Sequence, residues 1–116
     1  MRAERFVAWG AVVLWAGLIF ALSSIPDFGT GLGTWDLVLR KLAHLAEYAV
    51  FGAVLYRALG REPAAIAIGS LYAITDEVHQ SFVAGREGSP LDWAIDSAGV
   101  VAGVLVLSRA REWASR

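Results

Sequence analysis

Between Phe6 and Leu22 the chain reads "FVAWGAVVLWAGLIFAL", with no charged residue. As a helix this run approaches the lower limit, about 17 residues, for crossing the hydrocarbon core of a bilayer. A chain of 116 residues has a small interior and a large surface to cover with polar groups, so a soluble fold would struggle to hide it. The composition agrees. The chain is 57% apolar, its mean hydropathy is +0.54 and only 18% of its residues are charged, against about 25% in typical soluble domains. A cleavable signal sequence is the competing reading, because Arg2 and Arg5 precede the run and "ALS" follows it. The run exceeds the usual apolar region of about 7–15 residues in such signals, so it is expected to stay in place as a membrane helix.

The remaining pattern is helical and forms one domain. Glycines and Pro26 make Ser23 to Asp36 a loop, and the glycines of "GTGLG" have neither the spacing nor the preceding strand of a dinucleotide fingerprint. Three further helices are expected over about 40–59, 63–82 and 91–109, after a first over about 6–23. Gly60 and Pro63 separate the second and third, and Pro90 stands just ahead of the fourth. The fold class is therefore all-α, an integral membrane four-helix bundle spanning residues 1–116. A net charge of −1 gives no basic patch for nucleic acid. The absence of cysteine excludes disulfides, zinc fingers and thiol catalysis.

Charge fixes an orientation. Four spans put both termini on one side. With the N-terminus inside, Arg2, Arg5, Arg57, Arg61, Arg109, Arg111 and Arg116 fall inside, and only Arg40, Lys41 and Arg86 fall outside. Positive residues in short loops mark the cytoplasmic side, so the expectation is N-in and C-in. Most of the acids fall on the other side.

Those acids lie in stripes. Lys41, His44 and Tyr48, with Glu47 beside them, recur at helical spacing along one face of the second helix. Tyr72, Asp76 and His79 do the same on the third, flanked by Glu77 and Gln80. Asp92 and Asp96 lead the fourth, and Gly99 and Gly103 continue that face with a small-xxx-small spacing that admits a close neighbour. Ionisable groups inside a membrane span cost roughly 2.5–3.5 kcal/mol each at its centre unless they pair or face a cavity. The plain alternative is mutual pairing that only holds helices together. Against it stands the excess of acids: Glu47, Asp76, Glu77, Asp92 and Asp96 against two cations and two imidazoles. An outward-facing polar pocket is the expected result.

"KLAHLAEYAVFG", "DEVHQSFVAGREGSPLDWAIDSAG" and "FALSSIPD" resemble the VanZ-like family of small membrane proteins, named for a teicoplanin-resistance protein. The match runs from about Ser23 to Gly103. It falls on Lys41, His44, Glu47, Tyr48, Asp76, Glu77, His79, Gln80, Phe82, Gly85, Arg86 and Asp92. Asp96 departs from the Asn common in the family. The resemblance implies a cell-envelope protein of the cell membrane linked to glycopeptide resistance, and it names no reaction.

From the residues, His44 and His79, oriented by Glu47 and Asp76 and accompanied by Glu77, are candidate acid–base groups. Lys41 and Arg86 are candidate clamps for a phosphate or carboxylate. Tyr48, Tyr72, Gln80, Asp92 and Asp96 complete the expected ligand-binding set. The partners expected are membrane lipids and a lipid-linked cell-wall precursor or lipoglycopeptide, with no cofactor. A metal site built on His44-x-x-Glu47 and Asp76-x-x-His79 is the weaker reading, because Lys41 and Arg86 oppose a cation. A non-catalytic binding or scaffold module is the third.

Overall fold

Four α-helices dominate the residues that the computed structural model describes, 2–25, 33–83 and 89–116. They are α1 (Arg2–Ser23), α2 (Thr34–Leu59), α3 (Glu62–Gln80) and α4 (Pro90–Ala114), and the described residues contain no strand. Local chemistry sets the ends. Gly60 closes α2 in the left-handed region, φ 72°, and its N–H reaches the Tyr56 carbonyl, a cap that glycine adopts without a Cβ penalty. Pro63 stands in the first turn of α3 and Pro90 in that of α4, where no intrahelical N–H bond is lost. The Ser89 hydroxyl accepts from the Asp92 N–H at 3.0 Å and caps α4.

Three ends differ from the sequence expectation. α1 begins at Arg2 rather than about residue 6, since Arg and Glu continue a helix as readily as apolar residues do. α2 begins at Thr34 rather than Arg40, because nothing from Trp35 to Leu39 breaks a helix and Asp36 suits its first turn. α4 continues past Arg109 to Ala114, since "AREWA" is made of good helix formers although it is too polar for a span. Hydropathy marks where a helix stops being apolar, which is not where it stops being helical.

α2 and α4 run parallel and in close contact. Lys41 meets Asp92 and His44 meets Asp96, so the register advances in the same direction on both. Glycine permits the approach. A Cβ on Gly99 would lie 2.6 Å from the Leu45 carbonyl oxygen, and one on Gly103 would collide with the Ala49 carbonyl. Around this seam lies the core: Tyr48, Phe51 and Leu55 of α2, Val100 and Val104 of α4, and Ala65 and Ala73 of α3. α1 docks through polar contacts as well as through Val12 and Ile19. The Trp15 indole N–H donates to the Glu47 carbonyl at 2.8 Å, and the Tyr72 hydroxyl to the Ala16 carbonyl at 2.6 Å.

The outer faces stay apolar on every helix: Phe6, Val13 and Leu14 on α1, Leu39 and Leu42 on α2, Leu71 and Val78 on α3, Val106 on α4. Two helices, α1 and α4, are long and apolar enough to cross a membrane by length and composition. α2 and α3 fall short of that measure, for they carry Asp36, Arg40, Lys41, Glu47 and Arg57, and Glu62, Asp76 and Glu77. At one end of the bundle Glu4, Arg5, Arg57 and Arg111 surround a crevice of about 460 Å³, the Arg111 guanidinium lies 5.4 Å over the Tyr56 ring, and the Ser108 hydroxyl donates to Glu62. Both histidines and Asp76, Glu77, Asp92 and Asp96 gather at the other end.

Candidate functional site

Parallel helices turn sequence spacing into rungs. Lys41, His44 and Tyr48 descend one face of α2 in steps of three and four, and Asp92 and Asp96 descend the facing side of α4 in a step of four. The first rung is the Lys41–Asp92 ion pair. The second is His44 Nδ1 against Asp96 Oδ1 at 2.8 Å. The third crosses to α3, where the Tyr48 hydroxyl donates to Asp76 Oδ2 at 2.6 Å. α3 also contributes Glu77, whose Oε2 accepts the Ser89 N–H at 3.2 Å and so ties the end of α3 to the start of α4.

This is an interior cluster. Asp96 and Tyr48 are 0% exposed, Asp76 4%, and His44 and Glu77 7%. Its acceptors outnumber its donors. Asp76 Oδ1, Glu77 Oε1 and Asp96 Oδ2 are buried and meet no hydrogen-bond partner among the described residues. Each such atom costs about 1–3 kcal/mol when nothing replaces its water. A fold selected for stability alone would use Asn, Gln or an apolar residue at some of these positions.

The structure does not bring every expected residue to this cluster. His79 turns toward α1, where its Nε2 lies 2.9 Å from the Ser24 hydroxyl and its ring stacks on Phe20 with centroids 4.3 Å apart. Two positions along a helix are about 200° around it, so His79 and Glu77 face opposite flanks of α3. Gln80 is buried beside α1 and donates to the Ser23 hydroxyl at 3.2 Å. The Tyr72 hydroxyl is committed to the Ala16 carbonyl. Glu47 is half-buried, and its backbone carbonyl holds Trp15. Arg86, with Gly85, lies outside the described residues.

The expected partners of the histidines are thus exchanged. Asp96 holds His44 where Glu47 was expected to, and Ser24 meets His79 in place of Asp76. Ser23, Ser24 and Ser89 are the polar residues that the spacing argument missed. The first two end the apolar run of α1 within "FALSS", a position where serine has no helical stripe to belong to.

A crevice of about 280 Å³ lies between the end of α3 and the start of α4. Ile74, Val78, Pro90 and Trp93 give it apolar walls, and Glu77 is the ionisable residue that reaches it. Trp93 is fixed there by its indole N–H, which donates to the Ser70 carbonyl at 3.0 Å. The crevice therefore connects an apolar outer face to the edge of the buried cluster.

Comparison with known proteins gives one result. A family model described as VanZ/LLP1 matches residues 5–111. No curated protein and no solved structure shows significant similarity to the chain. The matched stretch runs from the first turn of α1 almost to the end of α4 and includes every described rung of the cluster, and the chain belongs to the VanZ/LLP1 family.

Proposed function

We propose that the chain is a single transmembrane domain of four spans, N-in and C-in, in the cell membrane, and that its acid–histidine cluster near the extracytoplasmic face binds an amphiphilic, lipid-linked ligand of the cell envelope. The observation that carries this reading is the crevice between α3 and α4. Its Ile74, Val78 and Trp93 walls suit a hydrocarbon chain, and Glu77 at its edge leads to carboxylate oxygens with unused acceptor capacity. A ligand headgroup rich in donors would satisfy them. Lys41 and Arg86 are the proposed contacts for its phosphate or carboxylate, with Arg86 supplying the planar fork that such groups fit. With no ion bound, His44, held by Asp96, is the imidazole–carboxylate pair able to take up and return a proton on a bound headgroup. The link to glycopeptide resistance belongs to this proposal, since a protein that occupies or alters a lipid-linked precursor acts where those antibiotics act.

The test separates binding from scaffolding. The protein in nanodiscs containing a polyprenyl phosphate is assayed for bound lipid by native mass spectrometry, alongside its melting temperature. Wild type is expected to retain the lipid, and Arg86→Lys and Glu77→Gln to lose it while melting close to wild type. Full retention in both variants contradicts the reading. Joint loss of melting temperature and lipid in both would reduce the cluster to a structural element.

A further inference from the structure

His44 of α2, Glu77 of α3 and Asp96 of α4 each place one donor atom within 4.8 Å of the other two, and all three residues are buried. The donors come one from each helix, and metal centres in the core of helix bundles are likewise assembled from side chains on facing helices. We propose that this trio is a binding site for a divalent transition-metal ion of the zinc or manganese type, with three protein ligands.

The second observation is independent of the clustering. Glu77 Oε1 and Asp96 Oδ2 are unpartnered among the described residues, on side chains that are 7% and 0% exposed. Held as two carboxylates, they carry a desolvation cost of several kcal/mol per ion, which a bound cation offsets and which a proton shared between them offsets only by removing one charge. Lys41 does not fill that role, because its ammonium is engaged by Asp92 one turn away. The same pairing offsets the Lys41 charge that would oppose a cation here.

The donor set selects the metal. One imidazole with two carboxylates suits zinc and manganese, whereas magnesium and calcium favour all-oxygen shells. Ligands sit about 2.0–2.2 Å from zinc, so the three side chains close inward by rotamer adjustments and the His44–Asp96 contact gives way to coordination. The Ser89 N–H already orients Glu77 through Oε2, the kind of outer contact that fixes a ligating carboxylate. Three protein ligands leave a tetrahedral ion one open position, as in catalytic rather than structural sites. Glu77 also lines the α3–α4 crevice, so that open position neighbours it. The inference does not rest on the lipid reading and is tested without any lipid-linked ligand.

The full chain, purified in detergent and stripped with a chelator, is titrated with Zn²⁺ by calorimetry and with Co²⁺ by visible absorption. Expected are one ion per chain and the ligand-field bands of four-coordinate Co²⁺ in wild type. Glu77→Gln and Asp96→Asn should each weaken Zn²⁺ binding by about 100-fold or more. His79→Gln, altered on the other flank of α3, should keep the full stoichiometry. The Co²⁺ spectrum of wild type decides the question even if a cluster variant does not fold. Absence of saturable binding, binding unchanged in Glu77→Gln and Asp96→Asn, loss of the ion in His79→Gln, or preference for Ca²⁺ or Mg²⁺ over Zn²⁺ would each overturn the proposal.

Discussion

Tyr48 is the residue on which the buried cluster leans. It is 0% exposed and gives its only hydroxyl proton to Asp76. With Oδ1 of that carboxyl already unpartnered among the described residues, Tyr48→Phe would strip the second oxygen too. The expected cost is about 1–3 kcal/mol of stability, the desolvation penalty of one more unmet acceptor. Adding Asp76→Leu to Tyr48→Phe should restore part of that loss, because both polar partners then go together. Chemical denaturation in detergent measures it, and additive losses in the double variant would show that the two groups are uncoupled. The α2 stripe and its acidic counterpart on α4 were legible in the sequence because residues three and four apart must share a helical face. Which acid meets which histidine was not. Asp96 rather than Glu47 takes His44 because that choice depends on the parallel register of two helices that no local spacing encodes. His79 was misplaced for a simpler reason: it follows Glu77 by two positions, so both cannot face the same neighbour.

At the scale of elements the controlling feature is the α2–α4 seam. Gly52, Gly99 and Gly103 let backbone meet backbone there. Gly103→Ala would drive a methyl group into the Ala49 carbonyl, and overpacking of this kind typically costs about 1–3 kcal/mol. Gly17→Ala on α1 is the contrasting case. Its added Cβ meets nothing within 4 Å, so the change should instead gain about 0.5–1 kcal/mol from reduced backbone freedom. Thermal unfolding of the two variants should therefore move in opposite directions, and a destabilised Gly17→Ala would mean that this face of α1 is packed against something. The close approach at Gly99 and Gly103 was readable from their spacing. Gly52 was not, since a glycine within "YAVFGAVL" has no partner in the local pattern and acquires one only when Val100 arrives from α4. Helix boundaries were read well at Gly60, Pro63 and Pro90 and poorly at Arg2, Thr34 and Ala114, where the helix runs on through polar residues.

For the whole molecule, a bundle with large apolar side chains on every outer face and an acid–histidine cluster at one end has the surface that the proposed membrane setting requires. Soluble monomers rarely leave such contiguous apolar surface exposed. α1 and α4 meet the length and composition of a span; α2 and α3 carry more polar side chains, and these are turned inward at His44, Asp76 and Glu77. On the proposed topology the crevice around Arg5, Arg57 and Arg111 is cytoplasmic and the cluster lies across the membrane from it. The chain has no cysteine, so single-cysteine variants give an unambiguous readout. Arg61→Cys reports the exposed connection between α2 and α3, and Ser81→Cys the exposed cap of α3. A membrane-impermeant maleimide applied to intact cells should label position 81 and reach position 61 only after permeabilisation. Labelling of position 61 from outside, with or without position 81, would contradict the four-span, N-in arrangement on which the site's placement depends.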